Sequence, residues 1–234
     1  MLFRSSRDHA ARRTRARHRQ VARTLNSLSN ASRSLGLHKE GIQQAEEALE
    51  IYKQLNSISG QARSLQRLAQ LLFSDNQLDA AKKSAFQAIS LFSAKGNQFE
   101  VCQCSCVLGE ICCSKGETEI AVNHFGAALG IASSFDWHDQ QFWILHSLAS
   151  LFFNQGRSDD AHAYIEYAKS HVANDAYLLG RAMRLQAGFW YHQHRLGEAK
   201  SEALDALGVF EKLGAVIYKE DCRKLLQKID ARIN

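Results

Sequence analysis

The stretch LGEICCSKGETEIAVNHFGAAL, residues 108–129, contains two apolar segments of helical period that are separated by a short turn at Gly116. A second stretch, FFNQGRSDDAHAYIEYA at 152–168, follows the same plan, and its turn at Gly156 lies forty residues after Gly116. A fixed period of this size indicates a repeat protein in which every repeat is one supersecondary unit.

The period is clearest in three sets of positions that hold only Gly, Ala or Ser, which we call the small-residue columns. Successive members of a column are forty residues apart, except that the last member follows the fourth by thirty-eight residues. The columns are Ser29, Ala69, Gly109, Ala149 and Ala187; Gly41, Ala81, Ala121, Ala161 and Ala199; and Ala48, Ala88, Ala128, Ala168 and Ala206. A fourth column holds large residues, Leu28, Leu68, Leu108 and Leu148, and breaks at Gln186. Small side chains at fixed places let helices approach closely, so we predict a helical hairpin in every repeat.

The pattern predicts an all-α protein, a right-handed α-solenoid of about five helix-turn-helix repeats with a C-terminal capping helix. The absence of proline fits continuous helices. Left-handed turns are predicted inside the hairpins at Gly36, Asn76, Gly116, Gly156 and His194. The predicted superhelical domain is 21–234, with repeats at 21–55, 60–95, 98–135, 138–173 and 177–212 and the cap at 217–232.

The N-terminus is strongly basic, because residues 1–23 contain eight Arg and one acid, Asp8. We predict that residues 1–20 form a disordered leader. Three interpretations stay open: a solvated tail, a mitochondrial presequence, and a nuclear-localisation or nucleic-acid-binding arm. Without a signal-peptide pattern or a long apolar run, we expect a cytoplasmic protein that does not enter a membrane, with nuclear or mitochondrial targeting as the alternatives.

The two quoted stretches resemble tetratricopeptide repeats, and the resemblance covers residues 21–212. The usual repeat has about 34 residues. The longer period is similar to that of kinesin light chains, of Leu-Gly-Asn-rich polarity adaptors and of fungal signalling NTPases of the NB-ARC type. The proline that often closes each repeat is missing. The resemblance implies a non-catalytic interaction scaffold without cofactor or metal, whose first helices line a groove for a partner segment.

The resemblance also implies which side chains face this groove. They are Arg23, Asn26, Asn30 and Arg33 in repeat one; Arg63, Gln66, Gln70 and Phe73 in repeat two; Gln103, Cys106, Glu110 and Cys113 in repeat three; Trp143, His146, Ser150, Phe153 and Asn154 in repeat four; and Arg181, Arg184, Tyr191 and His192 in repeat five. Because arginines lie at both ends and aromatic residues in the middle, we expect a protein or peptide partner with acidic flanks and an apolar centre. The alternative is that the aromatic residues only seal helix contacts and the arginines are solvated.

Other function classes have less support in the sequence. No phosphate-binding loop motif occurs, and no positioned nucleophile accompanies Asp159, Asp160 and His162, so we do not expect an enzyme. The alternatives to a free scaffold are the sensor or regulatory repeat portion of an NB-ARC-type signalling ATPase, and a nucleic-acid-associated adaptor that uses the arginine-rich N-terminus.

Five of the six cysteines lie in VCQCSCVLGEICCSKGE, residues 101–117, on the predicted first helix of repeat three. Along a helix axis, Cys106 and Cys113 are roughly 10.5 Å apart, too far to share one zinc ion. We therefore interpret the cluster as packing residues, with Cys106 and Cys113 as thiols that face the groove.

Overall fold

The computed structural model describes the backbone of residues 2–233 and the side chains of residues 12–233. Within this part the regular secondary structure is entirely helical. The helices are α1 (Leu2–Ser34), α2 (His38–Gln54), α3 (Ile58–Ser74), α4 (Leu78–Ser93), α5 (Gln98–Ser114), α6 (Thr118–Ser134), α7 (His138–Asn154), α8 (Ser158–His171), α9 (Ala176–His192), α10 (Leu196–Lys212) and α11 (Val216–Ile233). The predicted all-α architecture of helical hairpins is confirmed. Among the described residues, no helix has the length and apolar character that a membrane span needs.

The chain divides into two compact units, Met1–Ile131 and Ala132–Asn234. In the first unit, α1 to α5 pack in sequence order, and α3 also contacts α1 and α5. In the second unit, α7 to α11 pack in sequence order, and α9 also contacts α7 and α11. In each unit, therefore, the first helices of successive hairpins lie side by side. The predicted division into a leader and one superhelical domain stays a prediction.

Left-handed backbone closes the first helix of each hairpin at the five predicted residues, with φ of 76° at Gly36, 60° at Asn76, 73° at Gly116, 75° at Gly156 and 60° at His194. After α1, the Leu37 amide donates to the Ser32 carbonyl over 2.8 Å and the Gly36 amide donates to the Arg33 carbonyl over 3.2 Å. These two bonds satisfy carbonyls that the helix end leaves unpaired.

Four further left-handed residues lie between hairpins. They are Asn56, Gly96, Asp136 and Gly214, with φ of 52°, 68°, 53° and 67°. The sequence pattern did not identify them. Asn and Asp tolerate this conformation better than other non-glycine residues, which explains why Asn56 and Asp136 can stand where glycine is usual.

The small-residue columns are buried at all fifteen positions, as predicted. Gly109 shows most directly why these positions need a small residue. A Cβ atom at this position would lie 2.6 Å from Cε1 of Phe125, a ring on α6 that is itself buried. The columns therefore mark places where a neighbouring side chain occupies the space that a larger residue would need.

Helix α1 differs from its predicted form in two respects. It begins at Leu2 rather than at residue 21, so the segment predicted as a disordered leader is helical. Residues 2–20 contain no Gly or Pro and many Arg and Ala, which favour helix, so nothing local stops the extension. The side chains of residues 12–20 are exposed, whereas those of residues 1–11 lie outside the described part. The three interpretations of the leader stay predictions.

The second difference concerns Leu28. Its column partners Leu68, Leu108 and Leu148 are buried, but Leu28 is 48% exposed. In the described residues no hairpin lies on the outer side of α1, so nothing covers this side chain. Leu28 therefore keeps the residue type of its column but not the burial of Leu68, Leu108 and Leu148.

Candidate partner-binding groove

The first unit has a cavity of about 450 Å³ between α1, α3 and α5, which we call the α1–α3–α5 groove. Six of the residues predicted to face a groove line this cavity: Arg23, Asn26, Asn30, Arg63, Gln66 and Gln103. The lining also includes Ser27, Tyr52, Arg67, Phe99 and Glu100, which were not predicted. The forty-residue register therefore brings side chains from three successive first helices into one concave site.

The amide side chains of the groove are hydrogen-bonded to neighbouring helices. Asn26 and Ser64 exchange two hydrogen bonds of 3.0 and 3.1 Å between α1 and α3. One turn further along, the Arg67 guanidinium donates to Asn30 over 3.3 Å and to Gln70 over 3.2 Å. Between α3 and α5, the Gln66 amide donates to the Gln103 carbonyl oxygen over 3.1 Å. The polar wall is thus held in place before any ligand arrives.

Positive charge dominates the groove. The side chain of Arg63 is 69% exposed, and a carboxylate oxygen of Glu100 lies 4.0 Å from its guanidinium. The pKa of Arg67 is lowered, first by burial and then by the charges of Arg33 and Arg63. Arg67 is therefore a partly buried cation that lies among other cations.

A smaller cavity of about 300 Å³ shares Arg23, Tyr52 and Arg63 with the groove and adds Arg19. Burial raises the pKa of Tyr52, while the charges of Arg23, Arg63 and Arg19 act in the opposite direction. Sequence reasoning placed Arg19 in the leader. In the structure it extends the positive surface beside the groove.

Glu110 was the one acid among the predicted residues. Its pKa is raised by desolvation, and Arg33 opposes that shift. The Nε atom of Arg33 is buried without a hydrogen-bond partner among the described residues. Neither Arg33 nor Glu110 lines the cavity described above.

In the second unit, the predicted residues Trp143 and Arg181 pack against each other. The Arg181 guanidinium carbon lies 3.9 Å from the centroid of the Trp143 ring and 5.2 Å from that of Tyr218. The Tyr177 hydroxyl donates to the Tyr218 hydroxyl over 2.7 Å and completes this cluster. Trp143 is still 37% exposed. Arg181 is thus held by aromatic rings rather than solvated.

Two of the predicted aromatic residues seal contacts between helices. Phe153 stacks on Phe189 with ring centroids 4.1 Å apart, and Phe73 packs against a buried cluster that joins α3 to α2, α4 and α5. These contacts fit the alternative that the aromatic residues seal helix contacts. Asn154, at the end of α7, is exposed.

His146 is half-buried on α7, beside Phe142 and Trp143. Burial lowers the pKa of His146 to about 4, and the charges of Arg181 and Arg184 add to the effect. The imidazole is therefore neutral at physiological pH. The other predicted residues of repeat five, Arg184, Tyr191 and His192, line a separate cavity between α9 and α11.

Residues 21–59 match the family model of the tetratricopeptide repeat. Solved structures agree in fold over most of the chain. The tetratricopeptide-like repeats of a putative kinesin light chain from Podospora anserina superpose with a TM-score of 0.68 at 16% identity, covering 85% of this chain and 98% of theirs. This chain has the tetratricopeptide-repeat fold. No curated protein matches it in sequence.

Two further structures with a similar fold are longer than this chain. A Rap protein complexed with Competence and Sporulation Factor has a TM-score of 0.66 at 15% identity, covering 92% of this chain and 64% of that protein. A signal transduction ATPase with a tetratricopeptide-repeat sensor, from Pyrococcus horikoshii, has a TM-score of 0.68 at 15% identity, covering 92% and 37%. The chain thus spans less than two thirds of either protein.

Three lining residues that were not predicted, Arg67, Lys228 and Arg232, occupy positions that follow from the helical period and from the forty-residue repeat. Arg67 lies one helical turn after Arg63, so the helical period itself carried that signal. Lys228 and Arg232 follow Gly188 and His192 by forty residues. Helix α11 packs on α10 and contacts α9, as α3 packs on α2 and contacts α1. It therefore occupies the place of a sixth first helix, which explains why Lys228 and Arg232 line the cavity between α9 and α11.

All six cysteines are free thiols. Cys102, Cys104 and Cys112 are buried in the third repeat, whereas Cys106 and Cys113 are half-buried. Burial raises the pKa of Cys104 to about 12 and that of Cys113 to about 11. The pKa of Cys106 is also raised, by its hydrogen bond with Cys102 and by burial. The described residues contain no group of three or more His, Cys, Asp or Glu side chains arranged to hold a metal ion.

Proposed function

We propose that this protein is a non-catalytic interaction module whose α1–α3–α5 groove binds an extended or helical segment of a partner protein through acidic side chains. The observation that carries the proposal is the convergence of side chains from α1, α3 and α5 on one cavity. Three of them, Arg23, Arg63 and Arg67, are cations, and a single acid, Glu100, accompanies them.

The chemistry of the lining supports such a ligand. Arginine presents a planar fork of donors that fits a carboxylate, and Arg63 is exposed enough to reach one. The amides of Asn26, Gln66 and Gln103 offer both donors and acceptors, which is what the backbone of a bound segment requires. Phe99, which is 40% exposed, supplies apolar surface at the same site. A Rap regulator with the same fold has been solved in complex with the Phr* peptide, which adds a precedent for peptide binding by this fold.

The proposal is tested by affinity capture from cell extract with Arg63→Glu and, as a matched control, Lys83→Glu. Lys83 is an exposed cation on α4 that does not line the groove, so both variants change the net charge by the same amount. Quantitative mass spectrometry should show a partner that the wild type and Lys83→Glu retain and that Arg63→Glu loses at least tenfold. Equal recovery by both variants would contradict the assignment of the groove.

A second candidate function is the sensor portion of a signalling ATPase. It is favoured by the resemblance in fold to the Pyrococcus horikoshii ATPase, whose description includes a tetratricopeptide-repeat sensor. Under this proposal the captured partner would carry a nucleotide-binding module. Under the first proposal the partner belongs to another protein class, so the identity of the captured chain distinguishes the two.

A further inference from the structure

The second unit contains a cavity of about 500 Å³ between α9 and α11, which we call the α9–α11 pocket. Its lining includes four basic side chains, Arg184 and His192 from α9 and Lys228 and Arg232 from α11. No acidic residue lines it. Like charges in one concavity repel each other, and a bound anion would offset the part of this repulsion that water around the exposed Lys228 and Arg232 does not screen.

The cations of the pocket differ from others in the same unit. On α11, Arg223 pairs with Glu211 over 3.2 Å. Lys200 of α10 pairs with Asp230, which is also on α11, over 2.7 Å. None of the ion pairs among the described residues includes Arg184, Lys228 or Arg232. The Nε atom of Arg184 is in addition buried without a hydrogen-bond partner in that part of the chain. The positive charge of the pocket is therefore available to a ligand.

One cationic side chain of the pocket, Arg232, is also held in place by a neighbouring ring. The guanidinium carbon of Arg232 lies 4.2 Å from the centroid of the Tyr191 ring. Stacking on a ring restrains a guanidinium but leaves its N–H donors, which lie in its own plane, available for an oxyanion. Gly188 contributes to the lining from the C-terminal part of α9, and a Cβ atom added there would meet no other atom within 4 Å. The absence of a side chain at Gly188 therefore keeps the cavity open.

We propose that the α9–α11 pocket binds a phosphoryl group. A phosphate monoester carries about −1.5 to −2 charges at pH 7 and three acceptor oxygens, which matches two guanidinium groups and one ammonium group better than a single carboxylate does. The phosphoryl group could come from a phosphorylated side chain of a partner or from a small organic phosphate. The inference goes beyond the proposed function, because this pocket shares no residue with the α1–α3–α5 groove.

The test titrates the ¹⁵N-labelled full chain with inorganic phosphate, O-phosphoserine and a short phosphoserine peptide at constant ionic strength. Saturable shifts are expected at the amides of Gly188, Tyr191 and His192. The double variant Lys228→Gln/Arg232→Gln should weaken binding at least tenfold. Lys219→Gln/Lys224→Gln, which removes the same charge from α11 outside the pocket lining, should change it less than twofold. Gly188→Leu, which fills the cavity without changing charge, should also weaken binding.

The outcomes distinguish a phosphorylated partner from a small organic phosphate, and some of them would contradict the proposal. Peptide binding at least tenfold tighter than that of inorganic phosphate assigns the pocket to a phosphorylated partner, and equal binding assigns it to a small phosphate. A peptide with Glu in place of phosphoserine that binds equally well would overturn the proposal. So would non-saturable shifts or equal affinities in all variants. Arg63→Glu should leave these titrations unchanged, so this test and that of the groove fail independently.

Discussion

Asn26 of α1 and Ser64 of α3 are joined by two hydrogen bonds across the groove wall: the amide of Asn26 donates to the Ser64 hydroxyl over 3.0 Å, and that hydroxyl donates to the Asn26 carbonyl oxygen over 3.1 Å. Ser64 is fully buried, and Asn26 lines the groove. The pair links two successive hairpins and fixes the orientation of an amide that faces the ligand site.

We predict an energetic coupling between these two side chains of about 0.5–1.5 kcal/mol in a double-mutant cycle. The cycle compares Asn26→Ala, Ser64→Ala and the double variant by urea unfolding. Each single variant leaves one polar group of the pair without its partner, so the double variant should cost less than the sum of the single changes. Strictly additive losses would show that the pair contributes nothing to the packing of α1 on α3.

A second prediction concerns the small-residue columns. Gly109→Ala places a Cβ atom 2.6 Å from the buried ring of Phe125, so we expect a loss of about 1–3 kcal/mol in the free energy of unfolding. The control is Gly126→Ala in α6, where an added Cβ meets nothing within 4 Å. This change should stabilise the helix by about 0.5–1 kcal/mol. Equal effects of the two substitutions would contradict the role of the columns in close helix packing.

Much of this architecture is readable from the sequence, because the close approach of helices restricts side-chain size at regular intervals. The columns therefore identified the hairpins and the turns at Gly36 and Gly116. The turns at Asn56 and Asp136 were missed, since these residue types are common in many other contexts. The exposure of Leu28 depends on which neighbour is present, and that is a tertiary property.

The groove was predicted in part for the same physical reason. Helical period and repeat register fix which residues of α1, α3 and α5 share a face, and Arg23 and Gln66 do line one cavity. Their role in binding a partner stays a prediction. The period and the register do not reveal how side chains pair. That Arg181 packs on Trp143, and that Lys228 reaches the pocket with Arg184, depends on contacts between distant segments.

A third prediction concerns pH. The pKa of His146 is about 4 in the folded protein, against about 6.5 in an unfolded chain. The unfolded state therefore binds a proton first as the pH falls, and the folded state loses stability between about pH 6.5 and pH 4. We expect a loss of the order of 2 kcal/mol from this residue.

The measurement is the free energy of unfolding of the wild type and of His146→Gln at pH 7 and at pH 4.5. The stability of the variant should fall less than that of the wild type, since glutamine does not titrate. Parallel pH profiles would show that His146 is not kept neutral by the fold.

A fourth prediction concerns thiol reactivity. With a pKa of about 11, Cys113 should react with iodoacetamide roughly a hundredfold more slowly at pH 8 than an unperturbed cysteine, because little thiolate is present. Its rate should rise with pH, and Cys113→Ser should remove the fastest native-state reaction. In urea all six thiols should react. Rapid labelling of Cys106 or Cys113 at pH 7 would contradict their packing role and indicate an activated thiol.

The central claim is that the α1–α3–α5 groove recognises acidic side chains on a polypeptide segment, and a peptide-display selection tests it most directly. A random 15-residue library is selected on the wild-type chain, on Arg23→Glu/Arg63→Glu, and on a Lys39→Glu/Lys83→Glu control with the same charge change outside the groove. Circular dichroism and thermal unfolding verify that each protein is folded. The account predicts enrichment of Asp and Glu on the wild type and the control, and its loss on Arg23→Glu/Arg63→Glu. Equal enrichment on all three proteins, or none on the wild type, would contradict it.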